Sequence, residues 1–137
     1  MKIFIDASLL IYLNTLKTPG KRGPYEEFYL DLLSKYKAYT DVLVLDETIY
    51  VSAKKYKVPY EISLDFIDHL VMPFVRILPL GEDEYKEAAE IIKKYGVKPS
   101  DALHVAAMML NGIVRVASED RELDKVEGIN RVWLVSL

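Results

Sequence analysis

The sequence predicts an α/β fold, a three-layer α/β/α domain with a mostly parallel central sheet of about five strands. Short runs of β-branched and aromatic residues alternate with longer segments in which apolar residues recur at helical spacing. No internal repeat or low-complexity linker interrupts this alternation. The chain has 137 residues, a length typical of one domain with a continuous core. We therefore expect a single domain over residues 1–137.

The first strand and the helices after it are predicted from the start of the chain. Residues 2–5 read KIFI and end at Asp6, after which an apolar segment indicates a buried helix. Residues 18–23 are rich in Gly, Pro and basic residues and predict a loop. Pro24 is suited to begin the following helix, because its fixed φ angle matches the first helical turn.

The second strand is predicted at residues 42–45, which read VLVL. A helix is predicted over residues 46–53, with acidic residues in its first turn. Glu47 then follows the second strand much as Asp6 follows the first. A further helix is predicted over residues 60–70.

The second half of the chain continues the same alternation. Residues 74–78 predict the third strand, and residues 82–95 predict an amphipathic helix that ends at Gly96. The next helix extends to residue 110 and stops at Asn111-Gly112. The two remaining strands are predicted at residues 113–117 and 132–135.

Composition and charge exclude several kinds of functional site. The chain contains no cysteine and two histidines, which excludes thiolate sites and leaves oxygen as the ligand for any metal ion. The net charge of −3 argues against a surface that binds nucleic acid through a broad basic patch. No apolar run is long enough to span a membrane, and the first residues meet an acid, Asp6, too early for a signal peptide, so we expect a soluble, cytoplasmic protein.

Acidic residues lie where the predicted strands end. Asp6, Glu47 and Asp120 each follow a predicted strand, and the carboxyl ends of parallel strands form one edge of the sheet. Asp101 instead opens a helix. A helix of about ten residues rises roughly 15 Å, and a five-residue strand returning through the tight Asn111-Gly112 link spans roughly 17 Å. Asp101 should therefore lie beside Asp120.

Each of these acids has a structural alternative. Glu47 and Asp101 occupy positions where the helix dipole favours an acid, and Ser100 competes with Asp101 as a helix cap. Four carboxylates at one edge repel one another unless cations neutralise them, and oxygen ligands suit Mg²⁺ or Mn²⁺. One or two such ions are suited to the hydrolysis of a nucleic-acid phosphodiester.

Four segments of the sequence together resemble the PIN-domain nucleases, especially the VapC-type toxins and their archaeal relatives. These segments read IFIDASLLIYL, LDETIYV, PSDALHVAAM and VASEDRELDKVEGI. The resemblance spans nearly the whole chain and implies a PIN-like fold and a metal-dependent endoribonuclease. It also implies an antitoxin partner and a homodimer.

By this resemblance, the acidic quartet of the family falls on Asp6, Glu47, Asp101 and Asp120. The three aspartates would chiefly bind Mg²⁺ or Mn²⁺, and the glutamate would complete the ligand set or orient the attacking water. Two serines take supporting positions: Ser118 stands at the small hydroxyl position of the family, and Ser8 stands where the family often has Asn or Thr.

Three further residues receive separate interpretations. His104 is interpreted as a packed or hydrogen-bonded core residue and not as a metal ligand. Lys21 and Arg22, in the predicted loop, are candidates for binding substrate phosphates.

Two other functions are compatible with the sequence. One is a PIN-like RNA-binding or interaction module with weak catalysis. The other is an aspartate-nucleophile phosphatase or phospho-acceptor domain built on Asp6, for which the sequence offers no convincing lysine motif.

Overall fold

The computed structural model describes residues 1–134 and confirms the α/β fold. Its strands form one parallel sheet in the order β3-β2-β1-β4-β5. The strands are β1 (Lys2–Ile5), β2 (Lys37–Asp41), β3 (Arg76–Leu78), β4 (Arg115–Ala117) and β5 (Asn130–Val132). The helices are α1 (Ala7–Thr15), α2 (Pro19–Lys35), α3 (Val42–Tyr56), α4 (Tyr60–Phe66), α5 (Glu82–Tyr95) and α6 (Pro99–Leu110).

The central strand, β1, is apolar because both faces of the sheet are covered there. Ile3, Phe4 and Ile5 are fully buried. Phe4 aligns with Tyr39 of β2 on one side and with Val116 of β4 on the other. A strand covered on both faces has continuous rather than alternating hydrophobicity, as the KIFI sequence does.

The connections place helices on both faces of the sheet. The chain moves from β1 to β2 and β3 in one direction, then crosses to the other side of β1 to form β4. Because such crossovers are right-handed, α5 and α6 lie on the face opposite α1 to α4. The helix contacts agree, since α1 packs on α2 and α3, and α5 packs on α6. The order in which strands are added to the sheet reverses between β1 and β4, and sites commonly form at such a topological switch point.

The second strand lies earlier than predicted, so the assignment of residues 42–45 to a strand was wrong. The strand is Lys37–Asp41, and the VLVL run forms the first turn of α3. The Asp41 side chain caps this helix by accepting a hydrogen bond from the Val44 amide at 2.9 Å. Burial along α3 recurs every four residues, at Val44, Thr48 and Ser52, which is helical spacing.

The loop predicted at residues 18–23 was also wrong, because α2 already begins at Pro19. Pro19 occupies the first helical turn, where no intrahelical donor is needed. Pro24 lies inside the helix and cannot donate to the carbonyl of Gly20, which is itself an exposed residue near the start of the helix.

The remaining elements follow the predictions with shifted ends. The helix predicted over residues 60–70 is α4 followed by a π-helical turn, Ile67–Val71. The helix Glu82–Tyr95 is as predicted, and Gly96 ends it in the left-handed conformation with φ of 68°. Strands β3 and β4 are shorter than predicted, and β5 begins earlier, with Val135 outside the described residues. Among residues 1–134, no helix combines the length and apolar character needed to cross a membrane.

Candidate active site at the carboxyl edge of the sheet

Asp6 lies at the carboxyl end of the central strand, as predicted, and is held by donors on both of its oxygens. The Ala7 amide donates to Oδ1 at 2.8 Å as Asp6 caps α1. The Ser118 hydroxyl donates to Oδ2 at 2.6 Å. Burial raises the pKa of Asp6, while the nearby His104 and these donors oppose that rise. The structure therefore fixes this carboxylate at the switch point between β1 and β4.

The segment after β4 contacts both serines that were predicted to support the site: Ser118 lies in it, and Ser8 reaches it from α1. Besides donating to Asp6, Ser118 Oγ accepts a hydrogen bond from the Asp120 amide at 3.0 Å. Ser8 Oγ accepts from the Glu119 amide at 3.2 Å, which ties α1 to the same segment. Asp120 caps the short 3₁₀ helix Arg121–Lys125 by accepting from the Glu122 amide. Both hydroxyls therefore orient backbone around the acids.

Asp101 lies in the first turn of α6, buried, and its environment argues against a capping role. The N-cap of α6 is Lys98. Within residues 1–134, Asp101 Oδ2 has no hydrogen-bond partner. Burial, followed by the neighbouring Asp120, raises the pKa of Asp101 to about 7. A buried carboxylate oxygen without a donor is costly, so this atom is suited to bind a cation.

Asp101 and Asp120 form a pair, as the geometry of the Asn111-Gly112 link predicted. Burial would raise the pKa of Asp120, but the Asp101 carboxyl group, the Glu122 amide and Lys98 together lower it. Lys98 Nζ lies 3.7 Å from Asp120 Oδ2. One member of the pair therefore retains its charge while the other is driven toward protonation.

Glu47 reaches the site from the second turn of α3, and not from the strand end that the sequence predicted. Its Oε1 accepts a hydrogen bond from His104 Nε2 at 2.6 Å. The same nitrogen lies 3.9 Å from Asp6 Oδ1. The ligand-type atoms of Asp6, Glu47 and His104 all lie within 4.8 Å of one another.

Sequence reasoning missed Asp41, which occupies the strand-end position that had been given to Glu47. It is fully buried, and its Oδ2 accepts a hydrogen bond from His104 Nδ1 at 2.7 Å. The signal was available, since Asp41 ends β2 as Asp6 ends β1, but the misplaced second strand concealed it. His104 is buried and hydrogen-bonded, as the sequence indicated, yet it lies inside the site. Burial would lower the pKa of His104, but its hydrogen bonds to Asp41 and Glu47 raise it to about 10.

The residues at this edge fit a divalent cation. Asp6 and Glu47 bring carboxylate oxygens together beside His104, and the charges of Asp120 and Asp6 both act on Asp101, whose buried Oδ2 has no partner within residues 1–134. Mg²⁺ and Mn²⁺ prefer such ligands. The first turns of α1, α3 and α6 also lie at this edge, and their dipoles favour negative charge there. The site thus concentrates acids that a cation would neutralise.

The two basic candidates for phosphate binding lie in α2 and not in a loop. Lys21 is exposed in the first turn. Arg22 Nε lies 3.1 Å from Glu26 Oε1, and both side chains line an apolar cavity of about 260 Å³. Their role toward substrate stays a prediction.

Comparisons with known proteins agree with this geometry. The family model described as "PIN domain" matches residues 3–129. Two curated relatives, VapC ribonuclease Mb1869c of Mycobacterium bovis and Ribonuclease VapC13 of Mycobacterium tuberculosis, are each 27% identical over 133 residues. Each alignment covers 95% of this chain and 98% of the relative.

Solved structures share the fold at low identity. VapC20 of Mycobacterium tuberculosis, described as a Sarcin-Ricin loop cleaving toxin, superposes with a TM-score of 0.72 at 19% identity. That match covers 89% of this chain and 92% of VapC20. FitAcB of Neisseria gonorrhoeae superposes with a TM-score of 0.74 at 16% identity, over 98% of this chain and 99% of that one.

Proposed function

The chain belongs to the PIN domain family, and on that premise we propose that it is a metal-dependent endoribonuclease. The observation that carries the proposal is the convergence of four acids on the carboxyl edge of the sheet, with one buried oxygen of Asp101 unpartnered in residues 1–134. The relatives named as VapC ribonucleases support RNA as the substrate.

We assign Asp6, Asp101 and Asp120 to holding Mg²⁺ or Mn²⁺, as one or two ions. Glu47 completes the ligand set or orients the attacking water toward the phosphorus. When bound, a divalent cation supplies positive charge that activates water and stabilises the oxygens of the phosphodiester during displacement. Ser118 holds Asp6 and the Asp120 backbone in register, and Ser8 holds the backbone of the same segment.

Substrate attraction is local in this proposal, because the protein carries a net charge of −3. Positive charge at the site comes from the bound ion and from the exposed Lys98 beside Asp120. Lys21 is a further candidate for contacting phosphates, and Arg22 would first have to leave Glu26.

We further propose that the protein is the toxin of a toxin–antitoxin pair, acts in the cytoplasm and forms a homodimer. Several proteins of the same fold were solved as VapBC or FitAB assemblies, including a VapBC from Salmonella typhimurium bound to DNA. These neighbours support an antitoxin partner for this chain, and the fold likeness extends over 98% of it.

The test is cleavage of a panel of structured and single-stranded RNAs with Mn²⁺, Mg²⁺ or EDTA. The wild type is compared with Asp101→Asn, which removes a charge with little change in shape, and with Asp68→Asn, a matched change at an exposed acid. We expect metal-dependent cleavage by the wild type and Asp68→Asn but not by folded Asp101→Asn. Equal cleavage by all three proteins would refute the assigned site, and absence of cleavage on every RNA would favour a binding module.

A further inference from the structure

The imidazole of His104, in α6, lies between two carboxylates from other elements, Asp41 at the end of β2 and Glu47 in α3. Nδ1 faces Asp41 Oδ2 at 2.7 Å, and Nε2 faces Glu47 Oε1 at 2.6 Å. Carboxylates only accept hydrogen bonds, so both ring nitrogens must donate. The two hydrogen bonds therefore connect the end of β2 to the second turn of α3 through a side chain of α6.

The Asp41 side chain is held on both of its oxygens. Asp41 is fully buried, and its other oxygen accepts from the Val44 amide at 2.9 Å. The ring of His104 also packs against Phe4 of the central strand, with ring centroids 5.7 Å apart. The imidazole is therefore fixed in orientation before it meets Glu47.

The Glu47 end is the less buried one. Glu47 has a long side chain with several rotatable bonds, and that side chain remains 31% exposed. The bond from His104 Nε2 holds the Glu47 carboxylate on the side of the site where Asp6 lies, because this nitrogen is also 3.9 Å from Asp6 Oδ1. The ring thereby offsets repulsion between two carboxylates that both face the metal site.

We propose that His104, oriented by Asp41, is a positioning residue that holds the Glu47 carboxylate beside Asp6 for metal binding. This inference rests on the proposed function of the site. Groups that orient metal ligands typically change metal affinity by roughly 10–100-fold when they are removed. The competing role for His104 is direct ligation through Nε2, which would require that nitrogen to give up its proton and its bond to Glu47.

One test detects the contact without metal or RNA. The chain has two histidines, so ring ¹H–¹⁵N correlations resolve His104 from the exposed His69. In EDTA, we expect both ring nitrogens of His104 to carry protons, and Glu47→Gln to shift the Nε2 signal while leaving that of His69 unchanged. An unshifted His104 signal in Glu47→Gln overturns the proposal. So does loss of the Nε2 proton in the wild type on saturation with Mg²⁺, which would indicate ligation.

The second test uses two substitutions that each keep one of the two donors. The amide nitrogen of Asn matches the position of Nδ1, so His104→Asn keeps a donor for Asp41 and loses the one for Glu47. The amide nitrogen of Gln matches Nε2, so His104→Gln keeps a donor for Glu47 and leaves buried Asp41 short of a partner. His69→Gln is the matched control.

We expect the two variants to rank in opposite orders in two measurements. Thermal unfolding in EDTA should rank His104→Asn above His104→Gln, because an unpartnered buried carboxylate is the costlier defect. Mn²⁺ affinity from calorimetry should rank His104→Gln above His104→Asn, with His104→Asn roughly 10–100-fold weaker than wild type. In RNA cleavage, a saturating Mn²⁺ concentration should restore much of the lost kcat with little change in KM.

The outcomes separate this inference from the function on which it rests. Mn²⁺ affinities that follow the stability order, or that match the wild type in both variants, overturn the positioning role alone. A wild type that binds no Mn²⁺ overturns the proposed function and the positioning role together. Should both variants fail to fold, Asp41→Asn takes their place, because it keeps the acceptor for Val44 and weakens only the orientation of His104.

Discussion

The two halves of the site differ in how completely their charges are satisfied. Around Asp6, both carboxylate oxygens accept hydrogen bonds, and His104 bridges to Glu47. Around Asp101, one oxygen has no partner within the described residues, and the pKa is raised to about 7 by burial and by Asp120. The first half is built by the protein alone, whereas the second half requires a cation to be stable as a charged pair.

The largest expected difference between the halves appears when one carboxylate is removed from each. Both Asp6→Ala and Asp101→Asn should lower RNA cleavage by at least about 100-fold, because each removes charge that holds the cation. In EDTA, only Asp6→Ala should also lower the free energy of unfolding, by about 2 kcal/mol, as it loses a helix cap and the partner of Ser118. Cleavage rates and denaturant unfolding measure both effects. Equal destabilisation by the two variants would mean that the halves are built alike.

Adding metal should stabilise the second half more than any protein contact does. At a concentration 100 times its dissociation constant, Mn²⁺ should raise the free energy of unfolding by about 2.7 kcal/mol. Most of that gain should vanish in Asp101→Asn but persist in Asp68→Asn, as shown by unfolding curves with and without Mn²⁺. A gain that survives in Asp101→Asn would place the cation away from this residue.

Asp41→Ala should lower the stability of the metal-free protein, because Asp41 supports the first half of the site. The change removes the cap of α3 and leaves His104 Nδ1 without an acceptor, so the metal-free protein should lose about 2 kcal/mol of stability. Asp41→Asn should lose less, because its amide oxygen still accepts from Val44. Urea unfolding of the three proteins in EDTA provides the measurement, and equal stability of the alanine and asparagine variants would argue against the cap.

A pH dependence of stability is also expected for the second half. Because the folded pKa of Asp101 is raised from 3.8 to about 7, the folded metal-free protein binds the extra proton between these values. The stability that this bound proton contributes is therefore fully present below pH 3.8 and is lost as the pH rises toward 7. Asp101→Asn should lack this component of the slope in EDTA. Parallel stability curves for the two proteins over that range would contradict the raised pKa.

Errors in the predicted fold came from segments whose local pattern suits two structures. The VLVL run has the β-branched character of a strand, but only the capping bond from Asp41 to Val44 shows that it begins a helix. Residues 18–23 contain two glycines and one proline, which locally favour a loop, yet the first turns of α2 include them. In both cases tertiary packing outweighed weak local propensity.

The predicted acids lie at the carboxyl edge of the sheet even where the elements that carry them differ from the prediction. Glu47 was chosen as a strand-end acid, and the structure instead places it in the second turn of α3 with the strand end taken by Asp41. The acid reaches the site because its side chain is long enough to extend from a helix to His104. Asp41 was missed for the same reason that the second strand was misplaced.

The sequence by itself determined the alternation of strands and helices, the absence of thiolate ligands and the acids at strand and helix ends. These features are local, since hydrophobic spacing and residue type reflect the burial of one element at a time. Only the tertiary structure decided that Asp101 is buried with one oxygen unpartnered among residues 1–134, and that His104 joins Asp41 to Glu47. His104 is separated in the chain by 63 positions from Asp41 and by 57 from Glu47, so these contacts exist only once the sheet and both helical layers have assembled.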